Sequence, residues 1–464
     1  MSFNYIINFV KLILDIVIDK LNYFVCSFCI FIFVSKSDVF LNYLKEKEVH
    51  EIMNKTINLE NFALLQMLIC MLAFKDYNII CIISQLLGFF VIFLTKIKKK
   101  KYKIKVNSYA IYKMSFFMWG IFSVFWATNT EIVMSISKTL LLRMLCGLSI
   151  IMFNDSKEKL KLTLKYFVIA AFILCVRIVL VVPISSWGSQ RIGNFLNHDI
   201  NNSYGNTGIT YVLSIVSCLL LLDYDLMKKK VHKLILILLF TFFSVLSGSK
   251  KAIILLLIAF FISNFLESEN IKEKIINNLK LVFTFIFIFI LIMKIPVLYN
   301  SIGHRFISFF NFFSSDAQVS SQSDLSTIGR YALLNEAISV FFHNPILGVG
   351  LGNFVYVNSF NIWAENNFME ILVDTGLVGF IIYYSLIFKI FVVSLLGCKG
   401  QSERSLLCKK LITILICFSF IDFTMVSYFN STLQIFLAYI FAMYYVTKGM
   451  AKDKLLFKEK DKIY

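Results

Sequence analysis

Between residues 58 and 446 the chain returns twelve times to runs dominated by Leu, Ile, Phe and Val, near 60–75, 78–95, 109–127, 131–153, 166–184, 206–223, 233–247, 252–266, 281–298, 366–397, 411–429 and 431–446. Crossing a bilayer as a helix takes about 17–25 apolar residues. A chain of 464 residues that is 58% hydrophobic carries more apolar side chain than one water-soluble core buries. In hydrocarbon only helices and closed barrels satisfy their own backbone, and continuous apolar runs lack the alternation of barrel strands. The expected fold class is therefore all-α, a polytopic membrane protein with about 12 transmembrane helices plus an N-terminal apolar segment.

That segment is residues 1–57. Asp15, Asp19 and Lys20 interrupt its apolar run from Ile6 to Val34. It reads either as one span near 21–34 preceded by an interfacial helix, or as two short spans. No small-residue cleavage site follows, so no secretory signal peptide is expected. The remainder divides into a transmembrane helical domain 58–298, a large extracytoplasmic loop 299–365, C-terminal transmembrane helices 366–446 and a basic tail 447–464.

The formal charge of +18 raises nucleic acid as a partner, but its distribution argues against one. Lysines cluster at 96–105, 154–165, 227–233, 267–280, 398–410 and in the tail. With twelve spans every cluster falls on one side, which the positive-inside rule makes cytoplasmic. The ten cysteines lie mostly inside spans, and Cys26-x-x-Cys29 has no second pair or histidines beside it. Neither a disulfide framework nor a cysteine metal site is expected.

Two substantial loops face the other side, 185–205 and 299–365, and neither contains a lysine. Arginine behaves oppositely. Of six in the chain, Arg191, Arg305 and Arg330 sit in these loops, Arg143 and Arg177 lie in spans, and only Arg404 is in a lysine-rich interval. A planar guanidinium binds phosphate at two points and stays protonated, so the outer arginines read as anion ligands. The alternative is local pairing with acids such as Asp199, Asp316 or Asp324. The first loop is dense in Asn, Ser and Gly, and reads equally as a sugar- or phosphate-binding surface and as a solvated turn. In the short turn Ser247-Gly248-Ser249-Lys250-Lys251, Lys250 reads as a countercharge for a lipid diphosphate or as a cation snorkelling to headgroups.

The longest polar interval ends at residue 365 and holds most of the chemistry. Ser326 or Thr327 is expected to cap an amphipathic helix to about Phe342, its apolar positions Ile328, Tyr331, Ala332, Leu334, Ile338, Phe341 and Phe342 packing on the membrane domain. Asn344-Pro345 ends it. The run Gly348-Val349-Gly350-Leu351-Gly352 lacks the Gly-Lys-Ser/Thr of a phosphate loop. It reads as a close-packing turn or as amides facing an anion. Glu365 and Glu370 flank the mouth of the next span, with Asp374 one turn further in. A carboxylate at a membrane boundary is costly unless paired or used. Glu365 therefore reads either as a general base or as the partner of Arg330 or Arg305, and Asp374 as structural.

Taken in order, these residues resemble the O-antigen ligase and Wzy-type O-antigen polymerase family over roughly 60–446, most closely at 327–380. The residues that carry it are Gly329-Arg330, the turn from Pro345 through Gly348, Gly350 and Gly352 to Phe354, the stretch Glu365-Asn366 with Phe368 and Glu370, and Gly376-Leu377-Val378-Gly379. Weaker matches are Trp126-Ala127-Thr128-Asn129, Arg191-Ile192-Gly193-Asn194-Phe195, and Ser249-Lys250 where many members have Ser-Arg. Glu365 stands where ligases commonly place histidine, which favours a polymerase.

The resemblance implies a metal-independent glycosyltransferase of the bacterial cytoplasmic membrane, with its site on the extracytoplasmic face. It would move glycan from a polyprenyl-diphosphate-linked donor to a lipid-linked oligosaccharide. Arg191, Lys250, Arg305 and Arg330 would bind the diphosphate, Glu365 would act as base, and Asn366 and Glu370 would contact substrate. No outer carboxylate pair has metal-ligand spacing, so no metal or other cofactor is expected. Membrane lipid, a flippase and a chain-length regulator are the expected partners. The alternatives are an O-antigen ligase or protein O-oligosaccharyltransferase of the same family, and a lipid-linked oligosaccharide flippase. The flippase fits less well, because the polar residues concentrate in one asymmetric loop and no internal repeat is seen.

Overall fold

A computed structural model of the protein describes residues 59–98, 108–187, 192–196, 206–223, 230–247, 251–267, 271–296 and 322–460, with isolated positions 249, 299, 303 and 307. The N-terminal segment 1–57, Arg191, Lys250 and Arg305 lie outside the described residues. The chain divides into two compact units, Met1–Phe62 and Ala63–Tyr464. All the described residues except 59–62 belong to the second.

Among the described residues all regular structure is helical. In chain order the helices are α1 (Leu59–Ala73), α2 (Asn78–Lys98), α3 (Ser108–Phe122), α4 (Thr130–Phe153), α5 (Lys157–Val181), α6 (Asn206–Leu222), α7 (Lys230–Leu246), α8 (Lys251–Glu267), α9 (Ile271–Lys294), α10 (Gln322–His343), the single turn α11 (Phe354–Val357), α12 (Asn367–Gly397), α13 (Glu403–Thr424) and α14 (Ser431–Lys460). Each expected apolar run coincides with one of them. Four stretches, Asn78–Ile97, Thr130–Phe153, Lys157–Val181 and Asn367–Gly397, are long and apolar enough by length and composition to cross a membrane. Several helices overrun the apolar runs at their lysine-bearing ends: α5 starts at Lys157, α9 at Ile271, and α14 continues to Lys460. Lysine is a good helix former, so polarity there marks the edge of the apolar run and not the end of the helix.

Ion pairs tie the lysine-rich intervals together at one end of the bundle. Lys96 reaches Asp155 at 2.6 Å, Lys157 reaches Glu403 at 2.7 Å, and Lys410 lies 3.9 Å from Asp223. The core between the ends is aromatic where α3, α12 and α14 meet. Phe116 sits edge-on to Tyr383 at 5.0 Å, and Tyr112 stacks on Phe441 at 5.6 Å. Lys113 is buried inside this cluster, its ammonium bonded to Gln434 Oε1 and 5.0 Å from the Tyr112 ring centre.

The two arginines inside spans are structural. Arg177 makes a two-point pair with Asp76 (2.6 and 2.5 Å) and donates to Ala73 O at 2.6 Å, lying over the rings of Phe74 and Tyr77. It fixes the turn between α1 and α2 from within α5. Arg143 donates to Gln85 Oε1 at 2.5 Å. Two of the six arginines are thus kept for buried bonds between helices, where a rigid fork suits the geometry better than an ammonium.

Candidate functional site

The described part of the 299–365 loop is built against a break in α12. Inside that helix Gly376 adopts φ 65, ψ −173, so the carbonyls of Val373 and Asp374 lose their partners one turn on. The glycine turn replaces them: Val349 N donates to Val373 O at 2.9 Å and Gly350 N to Asp374 O at 2.8 Å. In return Leu377 N donates to Pro345 O at 2.9 Å. The exchange gives these carbonyls and this amide new partners, as a kink among apolar helices requires. A β-carbon on Gly376 would lie 2.0 Å from Ile346 O.

The amides of the glycine run are all used in this way. Gly348 N donates to Asn344 O at 3.1 Å, Leu351 N to Ser123 Oγ at 2.9 Å and Gly352 N to Asp374 Oδ2 at 2.8 Å. Of the two readings open from the sequence, the close-packing turn is the one the geometry supports. The Trp126–Asn129 turn is its dock. Buried Asn353 accepts from Thr128 Oγ1 at 2.9 Å and Asn129 N at 2.7 Å, and donates to Asn129 O at 3.2 Å.

Helix α10 begins at Gln322 and not at a Ser326 or Thr327 cap, so both lie inside it. Its packed face also differs from the expected stripe. Leu333 and Ala337 are fully buried, with Val340 and Phe341, against Phe354, Ala364 and Val373. Tyr331, Ile338 and Phe342 point outward. The apolar positions circle more of the helix than one stripe needs, and the loop chose the small-residue side, where Ala337 allows close approach.

Packing of α10 on the loop places Arg330 beside Glu365. Arg330 Nε pairs with Glu365 Oε2, and the two side chains are 51% and 45% exposed. Glu365 has a left-handed backbone, φ 51, uncommon for a residue with a side chain. Its neighbours hold it so. Ala364 N donates to Glu370 Oε2 at 2.6 Å. Asn366 caps α12, its Oδ1 accepting from Phe368 N at 2.9 Å and Met369 N at 3.2 Å. Phe368 stacks on Tyr384 with ring centres 4.9 Å apart.

Glu370 and Asp374 are both fully buried and face each other, a carboxylate pair not expected from the sequence. Residues four apart share a helix face. Asp374 also accepts from Phe354 N at 3.0 Å and Tyr428 OH at 3.1 Å, consistent with its structural reading. Loop amides engage Glu370 Oε2 and both oxygens of Asp374, and among the described residues no group of three or more His, Cys, Asp or Glu is placed to hold a metal ion. Beneath them Asn367 accepts from Ser427 N and Tyr428 N at 2.8 and 2.9 Å and donates to Tyr384 OH at 2.8 Å, which donates to Asp422 at 3.0 Å. This buried network fixes the start of α12 to the α13–α14 turn.

Sequence reasoning missed a cluster of three residues that joins α6, α8 and the end of α13. Lys251 donates to Thr424 O at 2.5 Å and lies 5.8 Å from the Tyr211 ring centre. Tyr211 OH and Thr424 Oγ1 are 2.8 Å apart. The sequence signals were present: Lys251 as the second of two adjacent lysines, and Tyr211 as a phenol in an otherwise aliphatic run. Nearby, Trp363 packs on Phe429 with ring centres 5.0 Å apart. The sequence-predicted residues brought together are thus Arg330, Glu365, Asn366 and Glu370, the first two half-exposed and Glu370 buried.

Residues 234–384 match the family model described as O-antigen ligase (Wzy_C), consistent with the O-antigen ligase and Wzy-type family that the motifs resemble. The match runs from α7 to the middle of α12 and so includes the ion pair and the helix break. No curated protein matches the chain.

Proposed function

We propose that the protein is a Wzy-type surface-polysaccharide polymerase of the bacterial cytoplasmic membrane, acting on its outer face. A sugar hydroxyl of one lipid-linked repeat unit attacks the anomeric carbon of a glycan on polyprenyl diphosphate. The new glycosidic C–O bond forms as the bond from that carbon to the diphosphate oxygen breaks. Glu365 takes the hydroxyl proton, and Arg330 meets the charge on the departing diphosphate, together with Arg191, Arg305 and Lys250 from the neighbouring loops. Fixed cations aimed at developing charge supply what a metal otherwise would, so the reaction is proposed to run without one. Glu370 and Asn366 hold the turn that carries Glu365. Trp363 and Phe429 offer the acceptor sugar an aromatic face.

The observation that carries this reading is the Arg330–Glu365 pair, half-exposed where the neighbouring glycine-turn amides are engaged internally. A flippase moves substrate through a cavity between two halves, whereas the Arg330–Glu365 pair sits within one loop. The family model's own description keeps a second reading in view, ligation of glycan to a terminal acceptor. A glycan size profile of a deletion strain, with and without complementation, separates them. A polymerase leaves single repeat units facing outward. A ligase leaves long chains unattached on their lipid carrier, and a flippase leaves units trapped inside.

A further inference from the structure

Inside the helical bundle, apart from Arg330 and Glu365, three sulfur atoms converge. Met67 and Met71 lie four residues apart on α1 and so share one face of it. Both are buried, as is Cys146 on α4. Cys146 Sγ stands 3.7 Å from Met67 Sδ and 3.4 Å from Met71 Sδ. From α2 the cluster meets bare backbone: a β-carbon on Gly88 would lie 3.1 Å from Met67 Sδ. Cysteine spacing alone hides this arrangement, because two of the sulfurs belong to methionines 79 and 75 residues away in the chain.

A thiol has one hydrogen and here two close thioether neighbours. One well-aligned S–H bond cannot serve both, so the second approach sets lone pair against lone pair. A soft ion between the sulfurs turns both approaches into bonds, and thiolate with thioether ligands selects Cu(I). With metal–sulfur bonds of about 2.3 Å, the length of zinc thiolates, three sulfurs around one ion sit about 4 Å apart. The observed separations need to open by only a few tenths of an ångström to reach that. Charge selects the valence. One thiolate and one Cu(I) cancel, so the loaded site adds no net charge to an apolar interior, whereas a divalent ion would leave one there at high cost. Calcium and magnesium take oxygen ligands, which these three side chains lack.

We infer that Met67, Met71 and Cys146 form a binding site for one Cu(I) ion, which ties α1 to α4. Binding exchanges a proton for the metal: the Cys146 S–H bond breaks as the S–Cu bond forms, the proton leaves to solvent, and no electron moves. The site is independent of the glycan reaction. Its test loads the full-length protein in detergent with one equivalent of Cu(I), without oxygen, and challenges it with the Cu(I) chelator bathocuproine disulfonate. The wild type is expected to retain one copper per chain, and X-ray absorption to show three sulfur neighbours and no nitrogen or oxygen. That spectrum needs no variant. Met67→Leu with Met71→Leu keeps the packing volume and weakens retention by more than about 100-fold, beyond the cost of losing an outer partner of a metal ligand. Cys146→Ser loses the copper. Cys175→Ser, at a buried cysteine of α5, retains it as the wild type does. Surrender of the copper by the wild type overturns the inference, and so does nitrogen or oxygen bound to it. Unchanged retention in the double methionine variant, or an equal loss in Cys175→Ser, does the same.

Discussion

Arg330 and Glu365 pair across the outer loop, guanidinium Nε to carboxylate Oε2, with about half of each side chain still open to solvent. Exposed pairs stabilise little, about 0.2–1 kcal/mol, so stability alone is a weak account of why α10 and the Glu365 turn are built to meet. Replacing Arg330 by Ala is expected to lower polymer formation by about 10²–10³-fold, the cost of removing one donor from a charge-stabilising site. Protein abundance stays near wild type. Chain lengths on a gel together with an immunoblot check this, and wild-type chain lengths remove Arg330 from the site.

Glu365→Gln keeps the shape and abolishes the base. Polymer formation is expected to fall by about 10²–10⁴-fold, the usual contribution of a positioned base. The charge exchange Arg330→Glu with Glu365→Arg distinguishes chemistry from pairing. It restores an ion pair and normal abundance but no polymer. Polymer recovery in the exchanged protein would make the pair purely structural.

Two glycines in the matched motifs should respond oppositely. Gly376→Ala places a β-carbon 2.0 Å from Ile346 O at φ 65. Neither backbone can yield without breaking the exchanged hydrogen bonds, so the variant is expected to lose most of its folded protein. At Gly329 a β-carbon meets nothing within 4 Å, and it sits inside α10. Gly329→Ala is expected to be neutral or to stabilise by up to about 1 kcal/mol. Fluorescence-detected size exclusion of both variants in detergent decides this. A Gly329→Ala protein that folds but makes no polymer would show that the site needs open space there.

Much of this was legible beforehand because apolar run length and lysine clustering are strong signals. They place the helices, and the Lys96–Asp155 and Lys157–Glu403 pairs join three of the lysine-rich intervals, 96–105, 154–165 and 398–410. The stop at Asn344-Pro345 and the meeting of Arg330 with Glu365 were also readable. The packed face of α10 was legible only in part: Phe341 packs as expected, but Ile338 and Phe342 are as apolar as Leu333 and Val340, and only the loop's shape selects between them. Nor could spacing reveal that Asn353 docks on Thr128 and Asn129, or that Lys251 reaches Thr424, since those contacts join residues far apart in the chain. The buried face-to-face arrangement of Glu370 and Asp374 needed the amide donors of Ala364, Gly352 and Phe354 to become explicable.

At the lysine-rich end, Asp155 is partly buried, which alone would raise its carboxyl pKa. Hydrogen bonds and charge from Lys96 and Lys159 outweigh that and hold it below the usual carboxylate value. A depressed folded-state pKa contributes stability that is complete above the unfolded value, ~3.9, and is lost as pH falls through the folded one. Wild type is therefore expected to melt slightly higher than Asp155→Asn at pH 7, by no more than about 2 °C given the solvent exposure. The gap closes as pH falls below about 4, through the depressed folded-state value. A gap that widens on acidification would contradict the assignment.

The most direct measurement reconstitutes purified protein in vesicles with a polyprenyl-diphosphate-linked repeat unit and EDTA, and reads the glycan by gel. The expected result is a ladder of repeat units with release of polyprenyl diphosphate by the wild type, undiminished by the chelator and absent with Arg330→Ala. Folded wild-type protein that yields no ladder, or one seen only after Mg²⁺ or Mn²⁺ is returned, or an equal ladder from Arg330→Ala, would contradict the account.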